Sequence, residues 1–255
     1  MTLSQHLLFL LCAATAGYIQ NLTGFAFGLV LLGLVGLLGV ASIADVANVV
    51  SLLTLVNAAV LLYATRPKFE TRILLPTLAA SQVGVVAGAL LVNWLSSGLV
   101  VALSLLLGLT IVACAALLAR TAQALAQRSS TTSFVAVGVV SGVLGGLFST
   151  AGPPLVYHLY RQPLPQRTIR DTLVAVFAAN AVLRLGMMLP TGHVSSNALL
   201  LSLETVPLVL LQTWWMARHP PGLKPASVKR IVCLLLALVG LGLVASSLHT
   251  LGIFK

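Results

Sequence analysis

Acidic side chains are nearly absent: Asp45, Glu70, Asp171 and Glu204 are the whole supply in 255 residues. They are dispersed along the chain, so neither the paired carboxylates of acid–base catalysis nor a carboxylate/histidine metal cluster finds support. Cysteine is as sparse. Cys12, Cys114 and Cys233 lie far apart in apolar segments, without CxxC or Cys/His spacing. They read as small core residues, and no metal or other cofactor is expected. Charged residues of all kinds make up only 7% of the chain, against about a quarter in a soluble domain. Such a chain cannot clothe a soluble surface.

What is present is apolar. Hydrophobic residues account for 59%, mean hydropathy is +1.08, and apolar runs of roughly 20 residues recur, the length that crosses a bilayer as helix. The expected fold is all-α, a polytopic helical membrane protein whose single transmembrane domain spans 1–255 and whose solvent is the lipid bilayer. The 14 Lys and Arg sit almost entirely in short connections, where cations favour the cytoplasmic face. No basic stripe with interleaved aromatics accompanies them, so nucleic acid is not an expected partner. The N-terminal LLFLLCAATAG has the apolar core of a signal peptide but only His6 before it, and a retained first helix is favoured.

Ten apolar segments can be read, in two groups of five separated by a polar stretch at 120–133. The second member of each group, 24–41 and 153–160, is too short or too glycine-rich for an ordinary span. An offset near 123 residues sets Asn57 on Asn180 and Pro67 on Pro190. Loop charge follows the same division. Arg66, Lys68 and Arg72 have no cationic counterpart in the second group, whereas Arg161, Arg167 and Arg170 have none in the first. Corresponding loops therefore belong on opposite sides of the membrane. The expectation is two inverted repeat halves, 1–119 and 134–255, joined by a cytoplasmic loop at 120–133, with broken or re-entrant helices in second position.

The stretch 138–170 carries the clearest signal. It begins as an apolar helix dotted with Gly and Ser, then breaks at Ser149-Thr150-Ala151-Gly152-Pro153-Pro154. Proline lacks the amide hydrogen and clashes with the preceding turn, so this segment cannot lie inside an unbroken helix. In hydrocarbon a broken helix is tolerated only where protein or a water-filled cavity satisfies the freed backbone. Gly152 and Pro153 would let the chain turn and restart, aiming a helix N-terminus at a small anion. Ser149 and Thr150 would add hydroxyl donors, and Asn21, Thr23 and Gly24 would contribute from the other half. The alternative is a packing break, with small residues permitting close approach and hydroxyls bonding the preceding turn.

Gly142-x-x-Gly145-Gly146-Leu-Phe-Ser149-Thr-Ala-Gly152-Pro153-Pro154-Leu-Val, followed by Arg167-x-x-Arg170-Asp-Thr, resembles the sulfite exporter TauE/SafE family of membrane transporters. The first half offers Gly17-x-x-x-Asn21-x-x-Gly24-Phe-Ala-Phe-Gly28 as the partner motif. The resemblance implies a permease of the inner cell membrane for sulfite, sulfonates or other small anions, not an enzyme.

Four further polar residues lie inside apolar segments. Asn57 and Asn180 need partners in lipid, either as packing glue or as substrate contacts. Arg184 is either a snorkelling side chain or a fixed positive charge for the anion. Glu204, in the next antiparallel span, is positioned either to neutralise Arg184 or to take a proton during transport. Asp171 reads as an interfacial charge near a helix start, His158 as an interior packing residue, and Trp214, Trp215 and Arg218 as an interfacial anchor. The function expected is anion transport by alternating access, with proton coupling through Glu204 as an option. A non-transporting membrane scaffold or accessory subunit is the alternative. A homodimer is plausible for such a permease.

Overall fold

The computed structural model describes residues 2–23, 25–65, 67, 69–95, 100–120, 125–150, 152–190, 194–219 and 225–251, and among these the regular structure is entirely helical. The helices are α1 (Leu3–Thr23), α2 (Phe27–Leu38), α3 (Ile43–Thr65), α4 (Thr71–Leu95), α5 (Val100–Ala119), α6 (Thr131–Phe148), α7 (Gly152–Tyr160), α8 (Gln166–Met188), α9 (Ser196–Arg218) and α10 (Pro225–Thr250). All ten expected segments appear, each within about a helical turn of its anticipated ends. Seven are long and apolar enough to cross a membrane: α3, α4, α5, α6, α8, α9 and α10. This is a polytopic helical membrane protein.

The two short members are bounded by backbone geometry. At 1.5 Å per residue, the 12 residues of α2 and the 9 of α7 reach about 18 and 14 Å, well short of a hydrocarbon core about 30 Å thick. Ala26, at φ 80°, starts α2, and Gly39, at φ 63°, ends it by returning its amide to the Val35 carbonyl. The left-handed region is open to glycine but costs other residues energy. Among the described residues, only Ala26 and Ser149 hold it without being glycine.

These two positions are 123 residues apart. Adding 123 to both ends of α3 gives 166 and 188, the ends of α8. The offset that sets Asn57 on Asn180 thus also relates the ends of these two helices.

The helices pack into two compact units. One comprises Met1–Val49, Trp94–Arg120 and Ser195–Lys255, and the other Val50–Asn93 and Thr121–Val194. In the first, α5 and α10 approach closely at Gly108 and Gly240, where an added Cβ would stand 3.0 Å from the amide nitrogens of Val244 and Val112 respectively. On α9, Gln212 donates from Nε2 to the Ala14 carbonyl of α1 at 2.9 Å. Asp45 joins two helix starts: it accepts from Ser42 Oγ at 2.8 Å and from Ser195 Oγ at 2.5 Å, while Ser195 caps α9 through the Ala198 amide.

The second unit is organised on a glycine crossing. Gly84 and Gly88 of α4 face Gly142 and Gly146 of α6, Gly138 lies against Thr77, Ala80 and Ser81, and backbone meets backbone at each of these glycines. Small residues at a helix interface let main chains approach where lipid supplies no hydrophobic drive for association. This crossing holds the end of α6 against the neighbouring helices, and the break follows directly from it.

Candidate anion site at a helix break

The break is built by Ser149. At φ 56° and ψ 19° it turns the chain out of α6 while its amide closes on the Gly145 carbonyl at 2.8 Å. The chain re-enters helix at Gly152, so Pro153 and Pro154 occupy the first turn of α7. Their missing amide hydrogens are not needed there, because first-turn amides have no intrahelical acceptor. The prolines therefore start a helix as much as they end one. They also thin its donors: of the four first-turn amides, only Gly152 and Leu155 carry hydrogen.

Two observations mark the place as polar and incompletely filled. Thr150 is 6% exposed, yet its hydroxyl has no partner among the described residues. A Cβ added at Gly152 would meet no described atom within 4 Å, so the start of α7 borders open space.

The charge comes from α8. Arg184 is 1% exposed, donates from Nε to the Gly146 carbonyl at 2.9 Å and from Nη1 to Ser51 Oγ of α3 at 3.2 Å. The Ser51 hydroxyl in turn shares a hydrogen bond with Ser149 Oγ. A guanidinium, two hydroxyls and a carbonyl thus tie α8 and α3 to the end of α6 and its capping residue within one unit. Snorkelling, one of the two readings of Arg184, is ruled out by its burial.

Asn180 serves the packing. Its Nδ2 donates to Ser81 Oγ at 2.7 Å, and its Oδ1 accepts from Ser81 Oγ at 2.9 Å and from Gln82 Nε2 at 2.8 Å. These bonds join α8 to α4. Asn57 is part-buried on α3. In the other unit, Asn21 has a buried Nδ2 with no partner among the described residues, and Thr23 closes α1. Gly24 lies outside the described residues, and Pro153 is described by its helical backbone alone.

Glu204 has a partner within its own unit. Its Oε2 stands 2.9 Å from His6 Nδ1, so the carboxylate bridges α9 to the first turns of α1, while Arg184 bonds Gly146 and Ser51. The partner of Glu204 thus comes from the unit that holds α9 itself. Asp171 is 3% exposed, with Arg167 Nε 3.9 Å from its Oδ2 one helical turn back.

His158 packs edge-on to Phe134, ring centroids 4.8 Å apart. Trp214 and Trp215 are exposed, with the Arg218 guanidinium 4.0 Å over the Trp214 ring. Sequence reasoning missed Ser51, Ser81 and Gln82. The adjacent polar pair 81–82 inside an apolar run was a usable signal, whereas Ser51 alone was not.

Compared with known proteins, residues 9–243 match the family model described as sulfite exporter TauE/SafE. The chain belongs to the TauE/SafE family. The matched range includes both breaks, Arg184 and Glu204, and begins after His6. A TauE/SafE relative from Cupriavidus necator, named "Probable sulfite/organosulfonate exporter TauE", is 34% identical over 218 residues, covering 84% of each chain. No solved structure matches. The family is one of transporters, and the protein is not an enzyme.

Proposed function

We propose that this TauE/SafE member exports sulfite or a related small organosulfonate across the inner cell membrane by alternating access. The relative's name supplies the substrate class, and the α6–α7 break supplies the chemistry. A sulfur oxyanion accepts hydrogen bonds through its oxygens, so its site must be rich in donors. The break offers the Thr150 hydroxyl, the Gly152 and Leu155 amides and the positive end of α7, with Arg184 close behind. The observation that carries the reading is the unpartnered Thr150 hydroxyl. Leaving a buried donor unsatisfied costs about 1–3 kcal/mol, and such a group calls for an explanation that a bound anion supplies. The 123-residue register supports a matching role for Asn21 in the first half and two halves, 1–119 and 134–255, of opposite orientation.

Purified protein in liposomes, offered sulfite, sulfonates and carboxylates, tests this directly. Saturable flux of sulfite or a sulfonate is the expected result. No flux and no binding across the panel would overturn it.

We also assign proton coupling to Glu204, acting with His6. The other titratable side chains on α1 and α9 are Cys12, Tyr18 and Arg218. Glu204→Gln is expected to keep sulfite counterflow within about twofold while flattening the pH dependence of net efflux. An undiminished pH dependence in vesicles of controlled internal pH would remove Glu204 from the coupling.

A further inference from the structure

A helix break has two ends, and they oppose each other electrically. The last carbonyls of α6 form a partial negative charge, and the first amides of α7 form a partial positive one. Only residues 149–151 separate them. An anion drawn to α7 is repelled by the carbonyl end of α6 unless something neutralises it.

Two of those carbonyls have identifiable donors. Gly145 accepts from the Ser149 amide, and Gly146 accepts from Arg184 Nε. The second is a full positive charge laid on the negative end of the helix. It reaches there from α8, and Ser51, wholly buried on α3, holds it through Nη1. The same Ser51 oxygen meets Ser149 Oγ at the turn itself, so one hydroxyl fixes both the cap and the residue that makes the break.

We infer that Arg184 and Ser51 are positioning residues: Arg184 caps the carbonyl end of α6, and Ser51 locks that cap to Ser149, so the break turns a net positive face to the anion. The inference rests on the proposed anion transport for its consequence, though not for its geometry. It gives Arg184 work through helix α6 without requiring it to touch the substrate. It also assigns a role to Ser51, which neither the family motif nor the apolar pattern singles out.

The test uses purified full-length protein in liposomes. Ser51→Ala is expected to raise the KM for sulfite about tenfold with kcat within about twofold, the signature of weakened anion binding. Ser51→Thr, which keeps the hydroxyl, is expected to restore the wild-type KM. Arg184→Gly is expected to regain flux with added guanidinium and not with urea, which has a similar shape without the charge. Hydrogen exchange reads the cap independently of transport: Ser51→Ala should speed exchange in the peptide covering 142–156. An unchanged KM in Ser51→Ala overturns the inference, as does a Thr variant no better than Ala. If wild type moves no anion, the proposed function falls, and unchanged exchange in Ser51→Ala then overturns the cap as well. If Arg184→Gly fails to fold, the Ser51 pair decides alone.

Discussion

Replacing Gly142 with valine is expected to leave no folded protein to extract from the membrane. A Cβ at this position would lie 2.8 Å from the carbonyl carbon of Ser81 and 2.9 Å from its Cα, and closer still to its oxygen. These are main-chain atoms of α4, which cannot rotate aside. The neighbouring contacts are as tight: a Cβ on Gly146 would stand 2.7 Å from the Ala89 amide, and one on Gly84 would stand 2.8 Å from that of Val143. Accommodating valine therefore means separating α4 from α6 along their length.

In lipid nothing but packing and polar contacts holds two helices together, so the loss is not made up elsewhere. Overpacking of this kind costs about 1–3 kcal/mol in forgiving cores, and a backbone-to-backbone contact belongs above that range. The Ser81–Asn180 hydrogen bonds would go with it. Fluorescence-detected size exclusion should show an aggregated or absent peak. Gly152→Ala, where a Cβ meets no described atom, should give a normal one. A Gly142→Val protein with wild-type melting behaviour would contradict the crossing.

Arg184→Gln carries the largest expected loss of activity. Glutamine is shorter and neutral, so it forfeits the charge-assisted bond to Gly146 and the bond to Ser51. Removing one preorganised donor from a charge-stabilising site commonly costs about 100-fold or more in rate, and sulfite efflux per reconstituted molecule is expected to fall by about that factor. Arg184→Lys keeps the charge but not the fork that serves two partners at once. It should fall by about tenfold, between glutamine and wild type. Initial-rate efflux, normalised to protein in the liposomes, checks both. Wild-type rates in Arg184→Gln would move the site away from this break.

The helices were legible because hydrophobic runs and their interruptions are local properties. Pro153 and Pro154 marked the break for the same reason, and the structure adds that they begin α7. What lay beyond reach was tertiary. Ser51 is one hydroxyl in an apolar run, and nothing local says it will meet an arginine on α8. Arg184 sits near enough to a helix end to snorkel, and only packing sends it inward. Nor does anything local bring His6 on α1 to Glu204 on α9, 198 residues away. Asp171 stood out as a charge near a helix start, and its burial to 3% is likewise set by tertiary packing. A 123-residue offset was faint in residue identity, and the backbone adds that Ala26 and Ser149, that far apart, both hold positive φ.

Thr150→Val separates a binding hydroxyl from a structural one most directly. Valine keeps the shape and removes a buried donor that has no partner among the described residues, so the unliganded protein should be as stable as wild type or more so by about 1 kcal/mol. Wild type saturated with sulfite at 100 times its Kd should gain about 2.7 kcal/mol of stability. The measurement is the sulfite-dependent shift in Tm of both proteins in detergent, over one titration. The account predicts a clear shift in wild type and a titration displaced to about tenfold higher sulfite in Thr150→Val, with no loss of unliganded stability. Equal titrations, or a variant destabilised without sulfite, would contradict an anion site at the break.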